Sequence, residues 1–117
     1  MYDFNERYEN LNKPAFRVKV YQCHKDVPYK FMDFEFAKQH GLNSLEDVVR
    51  DYDVVADFKM KCDDSDCLES NMLNDIYDDG NNGVLQQHFK MHSISMSDII
   101  EINGKKHYVN TFGFVEM

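Results

Sequence analysis

The dipeptide Asn103-Gly104 constrains this chain more than any other local feature. It separates the apolar run Ile99-Ile-Glu-Ile102 from the segment Lys106 to Val115. It is also the pair that tolerates a positive φ at both central positions of a type I′ turn. Two strands joined by so short a turn must pair antiparallel, so the last third of the chain predicts a β-hairpin. Just ahead of it, Ser97 and Asp98 have side chains suited to bonding nearby backbone, which predicts a turn. Ser93, Ser95 and Ser97 alternate with Ile94 and Met96, the pattern of a half-buried strand leading into that turn.

The rest of the chain supplies partners for the hairpin. Residues 1–15 are polar and read as an N-terminal arm, leaving 16–117 as a single domain. Phe16, Val18 and Val20 alternate with Arg17 and Lys19, which predicts a first strand. Cys23 to Pro28 reads as a loop. Phe31 to His40 is readable either way, and Gly41 placed after it favours a short helix. Ser44-Leu-Glu-Asp47 resembles a capping box with Asp in the Glu position, and a helical turn through Val49 follows. Tyr52 to Lys61, carrying Val54, Val55, Phe58 and Met60, predicts a second strand. Leu68, Met72, Leu73, Ile76 and Tyr77 recur at helical spacing, so residues 67–78 are expected to form an amphipathic helix. Val84 to Lys90 is expected to add a short helix with His88–Phe89 facing inward. The sum is an α+β fold: a small antiparallel sheet of about four strands, with two or three short helices packed on one side.

Charge narrows the function. The formal net charge is -8, with 21 acidic against 13 basic residues. Phosphate binding needs clustered Lys and Arg, so direct contact with nucleic acid or an anionic membrane is disfavoured. A basic partner surface is favoured. Met1-Tyr-Asp-Phe-Asn-Glu is too polar for the apolar core of a signal peptide, and the expected location is the cytoplasm. Three cysteines, an odd count, fit reduced thiols.

Several stretches together resemble the YodL-like domain of bacterial mobile elements. They are Val20-Tyr21-Gln22, Phe31-Met-Asp-Phe34 with Gly41-Leu42, Tyr52-Asp-Val-Val55, Leu73-Asn-Asp-Ile-Tyr77, Phe89-Lys-Met-His-Ser-Ile-Ser-Met-Ser-Asp-Ile-Ile100, and Tyr108-Val-Asn-Thr-Phe-Gly-Phe114. The resemblance covers roughly residues 16–117. Met91 departs from it, standing where the family usually has Gly, and so does Asn110, where it has Asp. The resemblance implies no catalytic role. It implies a context: a phage, plasmid or conjugative element in a bacterial host.

Candidate sites fall into four groups. Cys62-x4-Cys67 with His88-x3-His92 resembles a Cys2His2 zinc set, but the long gap between the pairs does not match, and no metal or other cofactor is expected. Cys23-His24 and the cluster His92, Ser93, Ser95, Ser97 and Asp98 suggest nucleophilic chemistry only on paper, because neighbouring residues point apart and no third group orients them. Asp78-Asp-Gly-Asn-Asn-Gly83 lacks the ligand order of a calcium loop and fits a helix end better. The acidic group is the strongest. Asp63, Asp64, Asp66, Glu69, Asp75, Asp78 and Asp79 crowd one segment, and no Lys or Arg stands between Asp63 and His88.

The first expectation is therefore a non-catalytic inhibitor. Its acidic surface would dock in the basic groove of a host nucleic-acid-directed defence enzyme, such as a CRISPR effector nuclease or a restriction enzyme. A second expectation is an adaptor module of conjugation or replication that binds through exposed aromatics, with Tyr108 and Phe112 as candidates. A zinc- or thiol-dependent enzyme is the third.

Overall fold

A computed structural model of the chain describes residues 15–61 and 69–117. It is an α+β structure built on a five-stranded antiparallel sheet. The elements run β1 (Ala15–Cys23), α1 (Phe34–Gln39), α2 (Leu45–Asp51), β2 (Tyr52–Lys61), α3 (Glu69–Asn81), a 3-10 turn (Leu85–Gln87), β3 (Ile99–Ile102), β4 (Lys105–Val109) and β5 (Phe114–Glu116). The strand order is β2-β1-β3-β4-β5, with every neighbouring pair antiparallel.

The Asn103-Gly104 turn is as expected. Asn103 has φ 49 and Gly104 φ 84, the double positive φ of type I′, and β3 pairs with β4 across it. The second arm is not one strand. It breaks at Asn110, whose N–H donates to Gly113 O at 3.0 Å, and Gly113 takes φ 77. The chain reverses there and β5 pairs back on β4, which raises the strand count from about four to five.

The helices do not share one side. Successive residues of a strand point to opposite faces, and here both faces are covered. On one face α3 buries Met72, Leu73 and Ile76 against Val18, Val20, Phe58, Met60, Ile100 and Ile102. On the other, Ala37 of α1, Leu42 and Val48 of α2 pack with Cys23, Tyr29, Tyr52, Ile99 and Tyr108. A bulge lets β2 serve both. Val20 pairs with Ala56 and Tyr21 with Val54, so Val55 is an extra residue. Tyr52 therefore joins one core, while Ala56, Phe58 and Met60 join the other.

Local chemistry sets the helix bounds. Asp33 caps α1, accepting from the Phe36 N–H at 2.8 Å, so the helix starts later than Phe31. Ser44 caps α2, accepting from the Asp47 N–H at 3.3 Å. Asp47 reaches back to accept from the Asn43 N–H at 2.8 Å, one residue ahead of the cap, so the shorter Asp closes a variant of the expected box. At Gly80 the chain of α3 passes so close to Ile94 that an added Cβ would lie 2.3 Å from the Ile94 Cδ1. Between Val84 and Lys90 only the 3-10 turn forms, with His88 exposed and Phe89 half-buried.

Candidate functional site

The segment before β3 is not a strand. Residues 91–98 are irregular, because their backbone groups bond side chains and distant carbonyls instead of a ladder. Gln22 of β1 clamps residue 92 from both sides. Its Oε1 accepts from the His92 N–H at 3.1 Å and its Nε2 donates to the His92 carbonyl at 3.0 Å. Asp98 accepts from the Ser95 N–H at 3.0 Å and from Gln22 Nε2 at 3.2 Å. Burial pushes the Asp98 carboxyl up to about 6, against these two donors.

Ser97 is the knot of this region. It is fully buried and held at φ 84. Its carbonyl accepts from the Tyr52 hydroxyl at 2.6 Å, its N–H donates to Val109 O at 3.0 Å, and its Oγ accepts from the Phe31 N–H at 3.0 Å. Two further bonds pin the same loop. Tyr108 donates its hydroxyl to the Met32 carbonyl at 2.7 Å, and Asn110 Oδ1 accepts from the Phe34 N–H at 3.0 Å. The Asn110 oxygen does here what an Asp oxygen would do. Phe31 is thereby fixed in a left-handed conformation, φ 65, with its ring 57% exposed. A cavity of about 430 Å³ lies beside it, lined by Gln22, Cys23, Lys30, His92, Ser95 and Asp98 among others.

The chemistry of that cavity is subdued. Cys23 Sγ lies 3.6 Å from Ser97 Oγ, and burial raises the thiol, so it is protonated at neutral pH. His24 turns to Asp53, at 3.2 Å, instead of to its neighbour. The ring of His92 is exposed. Cys62 and Cys67 lie outside the described residues, and so do Asp63, Asp64 and Asp66.

Of the remaining acidic candidates, Asp78 is exposed and Asp75 and Asp79 are half-exposed on α3, which carries no basic residue in its last turn. Glu69 departs from the expectation of unpaired charge. It bonds His107 Nε2, and its other oxygen is 3.3 Å from Lys105 Nζ. Although burial opposes the shift, these two partners hold Glu69 below the usual carboxylate range. The sequence stretch is free of cations, but β4 brings them from far along the chain.

Tyr108 needs a correction as a surface candidate. It is 0% exposed, packs its ring 5.1 Å from Phe34 and belongs to the core. Its place is set by strand register opposite Ile99, which points it beneath α1. Phe112 is 93% exposed at the β4–β5 turn. Sequence reading missed a second open surface. Leu45 and Val49, one turn apart on α2, are both exposed. Beside them runs a groove of about 620 Å³, lined by Phe34, Leu42, Leu45, Val48, Lys38 and Lys106 among others. The spacing of Leu45 and Val49 opposite Val48 was the available signal.

A family model for the YodL-like domain matches residues 17–117. The chain belongs to this family. The match spans β1 to β5, so the Gln22 clamp, the Ser97 knot and the pinned 29–34 loop all lie inside this YodL-like domain. No curated protein and no solved structure matches the chain. Among the described residues, no helix is long and apolar enough to cross a membrane.

Proposed function

We propose that this YodL-like domain is a non-catalytic protein-binding inhibitor carried by a bacterial mobile element. It occupies the basic, nucleic-acid-binding groove of a host defence enzyme with its acidic segment. One observation carries the reading. Helix α3 spends its apolar side on the core and carries Glu69, Asp75, Asp78 and Asp79 with no Lys or Arg of its own, continuous in sequence with Asp63, Asp64 and Asp66. Such a surface steers toward a basic groove and competes with phosphates there.

The test uses affinity capture from a bacterial host lysate, then nuclease inhibition assays on the captured enzyme. Asp64→Lys, Asp66→Lys and Asp78→Lys combined should abolish capture and inhibition with an unchanged melting temperature. Glu6→Lys with Glu9→Lys is the charge-reversal control in the N-terminal arm. Glu69 is left intact, because it is engaged with His107. Wild-type capture by the triple variant sinks the reading.

The second reading is an adaptor module that binds by shape. It is favoured by Phe112 and Phe31, both held outward on pinned turns. Salt separates the two: a charge-steered complex weakens as ionic strength rises, and an aromatic one barely changes.

A further inference from the structure

The start of α3 and the last two strands bring together three side chains that no sequence pattern links. His107 on β4 pairs directly with Glu116 on β5 across the ladder, and Glu69 comes over them from α3. One ligand atom from each lies within 4.8 Å of the others. We propose that Glu69, His107 and Glu116 form a binding site for a divalent transition-metal ion of the zinc type.

The imidazole carries the argument. His107 is 3% exposed. Its Nδ1 faces the Ile100 carbonyl at 3.3 Å, and its Nε2 faces the Glu69 carboxylate. Both neighbours are acceptors. A neutral imidazole has only one N–H. With Nδ1–H donated to Ile100, Nε2 meets the carboxylate through a positive centre, either a second ring proton or a metal ion that takes that proton's place. This is the arrangement that orients metal-ligating histidines: the far nitrogen donates to backbone and the near one is left as the ligand.

The rest of the set fits the same ion. Two carboxylates and one imidazole suit zinc, and they leave a fourth position open to water. Tetrahedral zinc with bonds of about 2.1 Å holds its ligands roughly 3.4 Å apart, so the Glu69 carboxylate draws back from the imidazole and the exposed Glu116 swings inward to close the site. The ligands sit on strands and a helix, which limits how far they wander. Lys105 is the competitor. Its ammonium lies 3.3 Å from Glu69 Oε2 and 3.3 Å from Glu116 Oε1, holding the two carboxylates in the metal's place. It is half exposed and can swing into solvent.

The test is titration of chelator-treated full-length protein with Zn2+, and with Co2+ as the spectroscopic probe. Cys62→Ser with Cys67→Ser provides the background, so that ligation by these two thiols is excluded. The site predicts one equivalent bound, Co2+ absorption bands without thiolate charge transfer, and a rise in melting temperature with metal concentration. Glu116→Gln should weaken binding more than about tenfold with unchanged far-UV circular dichroism. Lys105→Met should tighten it. His107→Gln should abolish it, but that variant risks misfolding, and the other two carry the decision. No saturable binding in this background overturns the proposal. So does binding that Glu116→Gln and Lys105→Met leave unchanged.

Discussion

The two faces of the sheet are held in different ways. Under α3 the contacts are mostly aliphatic: Val18, Val20, Met60, Met72, Leu73, Ile76, Ile100 and Ile102. Under α1 and α2 the face is built on tyrosines whose hydroxyls all donate. Tyr29 reaches Asp51 at 2.8 Å, Tyr52 reaches Ser97 O, and Tyr108 reaches Met32 O; at its margin Tyr21 reaches Glu101 at 2.8 Å. Apolar contact is non-directional and scales with area. A buried hydrogen bond adds little net energy but fixes geometry, and it is costly to leave unmade. One face thus supplies stability, and the other holds the 29–34 loop and Phe31 in one conformation.

Three variants can break or sharpen this contrast. Ile76→Ala removes a fully buried side chain from the aliphatic face and should lower stability by about 2–5 kcal/mol. In denaturant melts it should leave amide exchange protection in the 29–34 loop ranked as before. Selective loss of protection in that loop would mean the two layers are one.

Asp98 gives an intermediate effect with a sign. Its carboxyl is raised from 3.8 to about 6 in the folded state, so the unfolded chain ionises first as pH rises. The contribution of Asp98 is full below pH of about 4 and lost by about 6. At about 1.4 kcal/mol per unit, wild type should fall by about 2–3 kcal/mol relative to Asp98→Asn across that window. Parallel pH-dependent melts give the difference directly, and parallel curves for the two proteins refute it. Taking the difference matters, because Asp51 and Asp57, held low by Arg50 and Arg17, shift stability the other way.

Tyr52→Phe should have the smallest effect on stability, about 1–2 kcal/mol, by orphaning the Ser97 carbonyl. It should have the largest effect on the loop, with faster exchange at the Phe31 and Phe34 amides. A uniform rise in exchange across the sheet would show that the tyrosines stabilise globally and not locally.

Much of the fold is legible in the residues. The Asn103-Gly104 turn, the Ser44 cap and the Tyr52–Lys61 strand follow from local chemistry, which needs no distant partner. The helix over Glu69–Asn81 follows from spacing. What escaped reading is non-local. Ser93 to Ser97 alternates like a strand, but its backbone is claimed by Gln22, Asp98 and Gly80. The burial of Tyr108 depends on which layer lies over β4. The two-sided core was hidden because Ile99 and Ile100, adjacent and both fully buried, show no alternation. The candidate sites divide the same way. The acidic segment is a run in the chain, whereas Glu69, His107 and Glu116 meet only through the β4–β5 register and the landing of α3.

The extra residue Val55 makes β2 behave like a wave with a half-period slip. Upstream of it the strand is in phase with the tyrosine layer; downstream it is in phase with the aliphatic one. Removing that one residue would restore regular alternation and leave both pairings in place, Val54 opposite Tyr21 and Ala56 next opposite Val20. Adding a second residue there, with no second bulge to absorb it, would invert everything after it: Asp57 and Lys59 would turn into the aliphatic layer, and Phe58 and Met60 would turn out of it. A single-codon insertion here therefore acts as at least four simultaneous wrong substitutions, although no side chain is lost. The tolerance of this domain to length change at this point is thus one-sided: an unremarkable valine in mid-strand can be lost with the phase kept, and cannot be doubled.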